Sequence, residues 1–371
     1  MKFNITQQEI YKSLQLISGA VSTHPNMTIL SNLLLEIRSG ILYMTATDTE
    51  IELKASISLE GEYEEGSITV PARKFLDICR SLSANSMIDF SVEDTHVLLK
   101  VERNKYLLTS LPASEYPNVN EWDALVQIEL QQGVLQKLIE CCQFSMAQQD
   151  VRYYLNGMYF ETNGALLRTV ATDGHRLSIS TYNDAKNSFE SQGIILPRKG
   201  VMELSRLLVD ADANITLLIG KSNIKALVGH YTFTSKLIDG AFPDYKRVIP
   251  SQANQKLVAD REALKQSLSR AGILSNEKFR GVRFNIEKNL LRITANNPQQ
   301  EKAEELLDVE YAGTELEIGF NVNYLIDVMN NIKTDKVCLS FTNANTSVLI
   351  ESINDDNSAI DSIYIVMPTR L

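Results

Sequence analysis

The chain has 371 residues, of which 44% are hydrophobic and 22% are charged, and its formal net charge is −10. A single hydrophobic core rarely grows to this length, so several domains are expected. No apolar run is long enough to cross a bilayer and no segment has a low-complexity composition, which excludes a helical membrane protein and a largely disordered one.

The first predicted elements are a short strand and a helix. The run KFNI (2–5) reads as a strand, and Thr6 followed by Glu9 predicts a capping box at the start of a helix. Apolar residues then recur at helical spacing at Ile10, Leu14, Ile17 and Val21. Because a strand begins at residue 2, we expect no signal peptide and a cytoplasmic protein.

The rest of the first third completes one unit of strand, helix and three strands and then adds a second unit of the same kind. Three strands are predicted at 33–39, 41–47 and 51–59. A strand at 67–70 then leads through Pro71 into a helix from Arg73 to Leu82, and three more strands are predicted at 87–92, 96–101 and 105–111. The first third of the chain therefore contains two β-α-β-β-β halves, which predicts an α+β fold with antiparallel sheets and helices on one face.

The chain repeats this pattern three times. LSNLLLE (30–36) becomes LNGMYFE (155–161) and FRGVRFN (279–285), and ATD (46–48) becomes ATD (171–173) and ANN (295–297). Both series step by 125 and then by 124 residues, and helices are predicted near 131–147, 198–209, 261–274 and 322–333. Linkers rich in polar residues and proline place the domain boundaries near 125 and 252, which gives domains 1–125, 126–252 and 253–371.

The positive charges are segregated on helices although the chain as a whole is acidic. Arg73 and Arg80 lie seven residues apart on one predicted helix face, and Lys199 and Arg206 occupy the same places 126 residues later. Such faces can follow a phosphate backbone, or they can be ordinary solvated helix faces. The repetition in two domains gives the first interpretation about the same weight as the second.

The four cysteines, Cys79, Cys141, Cys142 and Cys338, lie in apolar segments and have no metal-ligand spacing. We expect buried, reduced thiols and neither a metal nor a cofactor.

Seven ordered motifs resemble one family. They are QDVRYYLNGM (149–158), TVATDGHRL (169–177), FTSKLIDGAFPDYKRV (233–248), ILSNEKFRGVR (273–283), ITANNP (293–298), IGFNVNYL (318–325) and VMPTRL (366–371). Together they resemble the beta subunit of bacterial DNA polymerase III, the sliding-clamp family. The resemblance implies three tandem clamp domains with sheets outside and helices inside. Two chains would close head to tail into a six-domain ring around duplex DNA.

The resemblance also implies partners and sites. The chain would bind duplex DNA of the nucleoid without regard to base sequence, and it would bind a second copy of itself. Through linear peptides it would also bind the polymerase III alpha subunit, the clamp loader, translesion polymerases, and mismatch-repair and ligase-type proteins. The cleft for these peptides would comprise Leu155, Thr172, Gly174, His175, Arg176, Leu177, Pro243, Arg247, Val248, Asn321, Tyr324, Ser347, Val366, Met367, Pro368, Arg370 and Leu371. The DNA contacts would be His24, Arg73, Gln149, Arg152, Tyr153, Tyr154, Lys199 and Arg206. The dimer interface would join Lys74, Arg103, Lys105, Tyr106 and Leu108 to Ile273, Leu274, Glu301, Glu304 and Glu305.

Three positions depart from the pattern of the family. Thr369 stands where the family tail has Met, Tyr106 where Phe is common, and His24 where a relative has Arg. We expect a less apolar rim of the cleft and a weaker or more pH-dependent DNA contact at His24.

Two other functions are compatible with parts of the sequence. Asp173, His175 and Ser178 could suggest a hydrolase, but no nucleophile elbow, zinc spacing or phosphate loop accompanies them, so we expect no catalysis. A protein-interaction scaffold that never meets DNA would also fit the acidic composition. Retention on circular but not on linear DNA would distinguish a clamp from such a scaffold.

Overall fold

The computed structural model describes residues 1–22, 27–117, 122–184, 189–353 and 360–370. Within these ranges, each third of the chain has the predicted β-α-β-β-β order twice. The α-helices are α1 (Gln7–Ile17), α2 (Ala72–Ser81), α3 (Gln132–Cys142), α4 (Arg198–Leu207), α5 (Arg261–Ile273) and α6 (Val322–Asn331). None of the described helices has the length and apolar character needed to span a membrane. The predicted α+β class and the three tandem copies are confirmed.

The strands follow the repeat. The first third has β1 (Lys2–Thr6), β2 (Asn32–Arg38), β3 (Ile41–Thr47), β4 (Ile51–Ser58), β5 (Gly66–Pro71), β6 (Met87–Glu93), β7 (His96–Val101) and β8 (Asn104–Thr109). The second has β9 (Val126–Gln131), β10 (Gly157–Gly164), β11 (Leu166–Thr172), β12 (Arg176–Asn183), β13 (Phe189–Pro197), β14 (Asn214–Ile219), β15 (Asn223–Val228) and β16 (Tyr231–Lys236). The third has β17 (Gln255–Asp260), β18 (Gly281–Glu287), β19 (Leu290–Asn296), β20 (Lys302–Asp308), β21 (Glu310–Tyr311), β22 (Leu316–Asn321), β23 (Lys336–Phe341), β24 (Val348–Ser352) and β25 (Ile360–Val366).

Local sequence signals explain where the first helix begins and ends. The Thr6 backbone N–H donates to Glu9 Oε2 at 2.8 Å and the Glu9 N–H donates to Thr6 Oγ1 at 3.4 Å, so the predicted capping box is present. Ile10, Leu14 and Ile17 are fully buried, as their spacing predicted. The α-helix ends at Ile17 and continues as a 3-10 turn to Ala20, so Val21 lies beyond it.

The chain divides into two compact units. Unit 1 contains Met1–Leu135 and Lys199–Leu237 and carries two sheets, with strand orders β1-β6-β7-β8 and β5-β2-β3-β4-β16-β15-β14-β9. The larger sheet joins the first repeat to part of the second, because β4 pairs antiparallel with β16, for example Leu53 with Phe233.

Unit 2 contains Gln136–Arg198 and Ile238–Leu371 and is built in the same way. Its sheets have the orders β13-β10-β11-β12-β25-β24-β23-β17-β21 and β20-β19-β18-β22. Here β12 pairs antiparallel with β25, for example Ile179 with Ile363. A second sheet therefore continues from one repeat into the next, at the strand positions equivalent to those in unit 1.

Candidate functional site

A cavity of about 170 Å³ lies in unit 2, beside the paired strands β12 and β25, which connect the second repeat to the third. It is formed where β11 ends and β12 begins, together with the segment around 243–248 and the end of β25. The lining residues are Arg152, Leu155, Thr172, Gly174, Arg176, Leu177, Pro243, Tyr245, Val248, Ile365 and Met367. The lining is mainly apolar.

Eight of the predicted cleft residues line this cavity, namely Leu155, Thr172, Gly174, Arg176, Leu177, Pro243, Val248 and Met367. Tyr245 and Ile365 also line it but were not predicted, and Arg152 lines it although it was predicted as a DNA contact. The alternation of β25 could have indicated Ile365, because it lies directly opposite the predicted Leu177.

Arg176 is held rigidly in the wall of the cavity. Its side chain is 12% exposed, and its guanidinium donates to Asp173 Oδ2 at 3.0 Å, to Asp327 Oδ2 at 2.5 Å and to the Phe144 carbonyl at 2.7 Å. The guanidinium carbon lies 5.3 Å from the ring centroid of Phe144 and 4.7 Å from that of Tyr324. The guanidinium is therefore committed to the protein itself, and it ties β12 to α6.

The turn at 172–176 is a structural turn. Asp173 Oδ1 accepts hydrogen bonds from the backbone N–H groups of His175 at 2.9 Å and Arg176 at 3.1 Å. The His175 ring stacks on Tyr324 with 6.1 Å between centroids, and Ser178 shares a hydrogen bond with Ser145 at 2.6 Å. Asp173, His175 and Ser178 thus each interact with other residues of the protein, and their side chains do not bond to one another as the members of a catalytic triad do.

A polar network fixes the wall formed by Tyr245. The buried Tyr245 hydroxyl accepts from Arg168 at 3.0 Å and donates to Glu161, which also forms ion pairs with Arg168 at 3.5 Å and Lys246 at 3.4 Å. The pKa of Tyr245 is raised to about 12, mainly by burial and to a smaller extent by the hydrogen bond to Glu161. The tyrosine is therefore neutral at neutral pH and acts as a hydrogen-bonded part of the wall.

Replacing Tyr245 with Phe should lower the free energy of unfolding by about 1.5 kcal/mol, because a hydrogen bond to a charged group is lost in a buried site. The matched control is Tyr159→Phe, which removes a hydroxyl from the neighbouring ring, 6.4 Å away between centroids, and should cost less than about 0.5 kcal/mol. Thermal unfolding measures both; equal losses would show that the network does not stabilise the wall.

The other predicted cleft residues lie around the cavity. Val366 is fully buried, and Ser347 Oγ donates to the Val248 carbonyl at 3.5 Å. Asn321 caps α6 by accepting from the Asn323 N–H at 3.0 Å. Arg247 is 85% exposed and pairs with Asp244 at 2.8 Å. Pro368 is half-buried, Arg370 is exposed, and Leu371 lies outside the described residues. The Thr369 N–H donates to the Gly319 carbonyl at 2.8 Å, so the tail before Leu371 is fastened to β22.

The predicted DNA contacts differ in how free their charges are. Lys199 Nζ lies 2.5 Å from Asp48 Oδ2 and Arg206 pairs with Glu203 at 3.1 Å. Arg152 pairs with Asp150, and its side-chain and then backbone hydrogen bonds lower the pKa of Asp150 to about 2. In the described part of the chain Arg73 is exposed and has no ion pair. Arg73 is thus the most available of these cations.

Three further DNA candidates, Gln149, Tyr153 and Tyr154, lie on one segment between α3 and β10. Gln149 has a positive φ of 55°, and Tyr153 is 56% exposed with its ring 5.7 Å from that of the half-buried Tyr154. His24 falls outside the described residues.

Of the predicted dimer-interface residues, Lys105, Tyr106 and Leu108 lie on the edge strand β8 of unit 1, and Glu304 and Glu305 lie on the edge strand β20 of unit 2, whereas Lys74 lies on α2. Lys74, Arg103 and Lys105 are exposed, Tyr106 is half-buried, and Ile273 is 74% exposed beside the half-buried Leu274. Glu301 is exposed, while Glu304 and Glu305 pair with Arg292 and Arg270 of the same chain, both at 2.5 Å.

Leu108 is buried within its own unit, whereas its neighbour Leu107 is 60% exposed. Leu306 on β20 is similarly 59% exposed. These two edge leucines were not predicted, although the alternation of each strand could have indicated them.

Family models of the DNA polymerase III beta subunit match nearly the whole chain. The N-terminal domain model matches residues 1–120, the central domain model 129–244 and the C-terminal domain model 246–370. The chain belongs to the DNA polymerase III beta subunit family.

Individual members of the DNA polymerase III beta subunit family agree with this assignment over their full length. The chain is 51% identical to the beta sliding clamp of Vibrio cholerae and 48% identical to that of Escherichia coli K12, with complete coverage of both chains in each case. It is also similar to the crystal structure of the sliding clamp from Pseudomonas aeruginosa bound to griselimycin, with a TM-score of 0.96, 46% identity and complete coverage of both chains.

Proposed function

We propose that this chain is a DNA sliding clamp and processivity factor without catalytic activity of its own. Two copies form a ring around duplex DNA. The cavity beside β12 and β25 receives linear peptides from the replicative polymerase, the clamp loader and repair proteins. The protein would act in the cytoplasm, on the DNA of the nucleoid.

One feature of the sheets supports the ring. The described strands form two pairings that connect one repeat to the next, here called joins: β4 with β16 and β12 with β25. The strands at the equivalent positions of a third join are β20 and β8, and both are edge strands within the chain. Since open edges are usually covered or paired, β20 of one copy can pair with β8 of another, and two such joins close a ring of six repeats.

The two observed joins share one register, which predicts the register of the third. Glu52 lies opposite Thr234 in the first join, and at the equivalent position Leu177 lies opposite Ile365 in the second. The same register places Ala303 opposite Tyr106 of the second copy. It also places Glu304 opposite Lys105 of that copy, which brings opposite charges together across the interface.

Disulfide cross-linking tests this register. The double variant Ala303→Cys with Tyr106→Cys should form a dimer joined by disulfides under mild oxidation, because directly opposite Cβ atoms lie about 4.5–5.5 Å apart. The control, Ala303→Cys with Asn104→Cys, shifts one cysteine two residues along the strand and should give little dimer. The four native cysteines are buried and add little background. Equal cross-linking of the two variants would contradict the register.

Retention on DNA tests the function itself. Loaded onto a nicked circular plasmid by a clamp loader, the protein should stay bound during gel filtration and be released when the plasmid is cut, because a ring held by topology slides off an end. Only weak, salt-sensitive phosphate contacts remain after cutting. Equal retention on both forms would exclude sliding, and absence from both would favour the scaffold interpretation.

The cleft assignment rests on the shape and chemistry of the cavity. An apolar hollow with a few fixed polar groups at its edge suits the anchoring side chains of a linear peptide. Griselimycin, which is bound in the Pseudomonas aeruginosa structure, is a suitable probe for it. The domain boundaries at 125 and 252 and the individual contact residues are part of this proposal.

A further inference from the structure

A second cavity, of about 420 Å³, lies in unit 1 at the position equivalent to the peptide cleft. The cleft in unit 2 is lined by the opposed pair Leu177 and Ile365, and this cavity is lined by the equivalent pair Glu52 and Thr234 at the join of β4 and β16. Pro117 lines it as Pro243 lines the cleft. The two hollows thus share a place in the repeat and differ in chemistry.

The floor of the unit 1 cavity is polar. Thr234 lies between Glu52 on one neighbouring strand and Lys225 on the other, and Lys54 lies between Thr45 and Thr232 in the next row. All six residues line the cavity, whose volume is within the range of small-molecule sites. Four charged side chains therefore line one hollow, the cations Lys54 and Lys225 and the carboxylates Glu36 and Glu52.

The cations are held at the wall by aromatic rings. Lys54 Nζ lies 4.8 Å from the ring centroid of Tyr43, and Lys225 Nζ lies 5.4 Å from that of Trp122. Glu36, the other carboxylate in the lining, pairs with Arg38. The charges left to act on a ligand are those of Lys54, Lys225 and Glu52.

The burial of two polar groups in this cavity costs free energy. Trp122 Nε1 is buried and has no hydrogen-bond acceptor among the described residues, which costs free energy. Burial raises the pKa of Glu52, against the effects of Lys54 and Lys225. A ligand that brings a cation to Glu52 would offset part of the cost of burying that carboxylate.

We propose that this cavity binds an acidic amino acid. Two carboxylates meet Lys54 and Lys225, and the ammonium group meets Glu52. The ligand carries two negative charges and one positive charge, which is the complement of the three cavity charges.

Trp122 supplies a direct readout because it is the single tryptophan of the chain. Titration of the full-length protein with L-glutamate or L-aspartate should shift the indole N–H resonance and the tryptophan emission in a saturable way. N-acetyl-L-glutamate lacks the ammonium and L-glutamine lacks the second carboxylate, and each should bind at least about tenfold more weakly than L-glutamate.

Variants assign the contacts. Lys225→Met should weaken L-glutamate binding about tenfold, and Glu52→Gln should remove the preference for L-glutamate over N-acetyl-L-glutamate. Lys221→Met, an exposed lysine outside the lining, is the matched control and should bind like the parent protein. Unchanged thermal unfolding shows that each variant is folded. No saturable shift with either amino acid, equal affinity for L-glutamate and its N-acetyl derivative, or full binding by Lys225→Met would overturn the proposal.

Discussion

Replacing Arg176 with Ala should lower the free energy of unfolding by about 3 kcal/mol. The change leaves Asp173, Asp327 and the Phe144 carbonyl without their shared donor, and removing one partner of a buried ion pair costs about 3–5 kcal/mol. The lower end applies here because Asp327 is 40% exposed. Thermal unfolding of the full chain measures the loss.

Arg247 offers a matched control, since it is a second predicted cleft arginine. It is 85% exposed and, among the residues that the structure describes, pairs only with the nearby Asp244, so Arg247→Ala should change stability by no more than about 0.5 kcal/mol. For griselimycin we expect at least about a tenfold loss of affinity with Arg176→Ala and a much smaller one with Arg247→Ala. Similar effects of the two variants would show that Arg176 is not a rigid part of the cleft wall.

Gly157→Ala should lower the free energy of unfolding by about 2–3 kcal/mol. A Cβ at Gly157 would lie 2.5 Å from the Leu196 carbonyl oxygen on the neighbouring strand and 3.0 Å from Ile195 Cγ2. Backbone atoms cannot turn away as a flexible side chain can, so β10 and β13 must separate locally. Leu155 lies two residues before Gly157 and lines the cleft, so it should shift with β10, and the affinity for griselimycin should fall.

The other end of the same strand provides the control. A Cβ at Gly164 meets nothing within 4 Å, but the residue has φ +59°, so Gly164→Ala should cost about 1 kcal/mol through backbone strain alone. Gly164→Ala should leave griselimycin affinity unchanged. A Gly157→Ala protein as stable as the Gly164→Ala protein would mean that the strands yield more easily than the distances indicate.

Much of the fold could be predicted from the sequence because its signals are local and repeated. The Thr6–Glu9 capping box and the buried spacing of Ile10, Leu14 and Ile17 were correct. The helix predicted from Arg73 to Leu82 is present as Ala72–Ser81. By contrast, the pairing of β4 with β16 brings together residues about 180 positions apart, and no local pattern specifies such a partner.

The candidate site was predictable only in part, for similar reasons. Thr172, Gly174, His175, Arg176 and Leu177 were predicted because they belong to the motif TVATDGHRL, which carries the resemblance to the family. Tyr245 was missed because its role depends on Glu161 and Arg168, which are about 80 residues away. On β8 the burial of Leu108 and the exposure of Leu107 follow from strand alternation, which assigns neighbouring residues to opposite faces.

The sheet joins also bear on how the chain can be divided. A fragment that stops at the end of the first repeat keeps β4 but loses β16, so a row of backbone N–H and C=O groups that is paired in the intact chain becomes bare. Exposed strand edges of this kind recruit other chains. Isolated single repeats should therefore aggregate or exchange strands with one another. The smallest soluble fragment should contain both strands of a join.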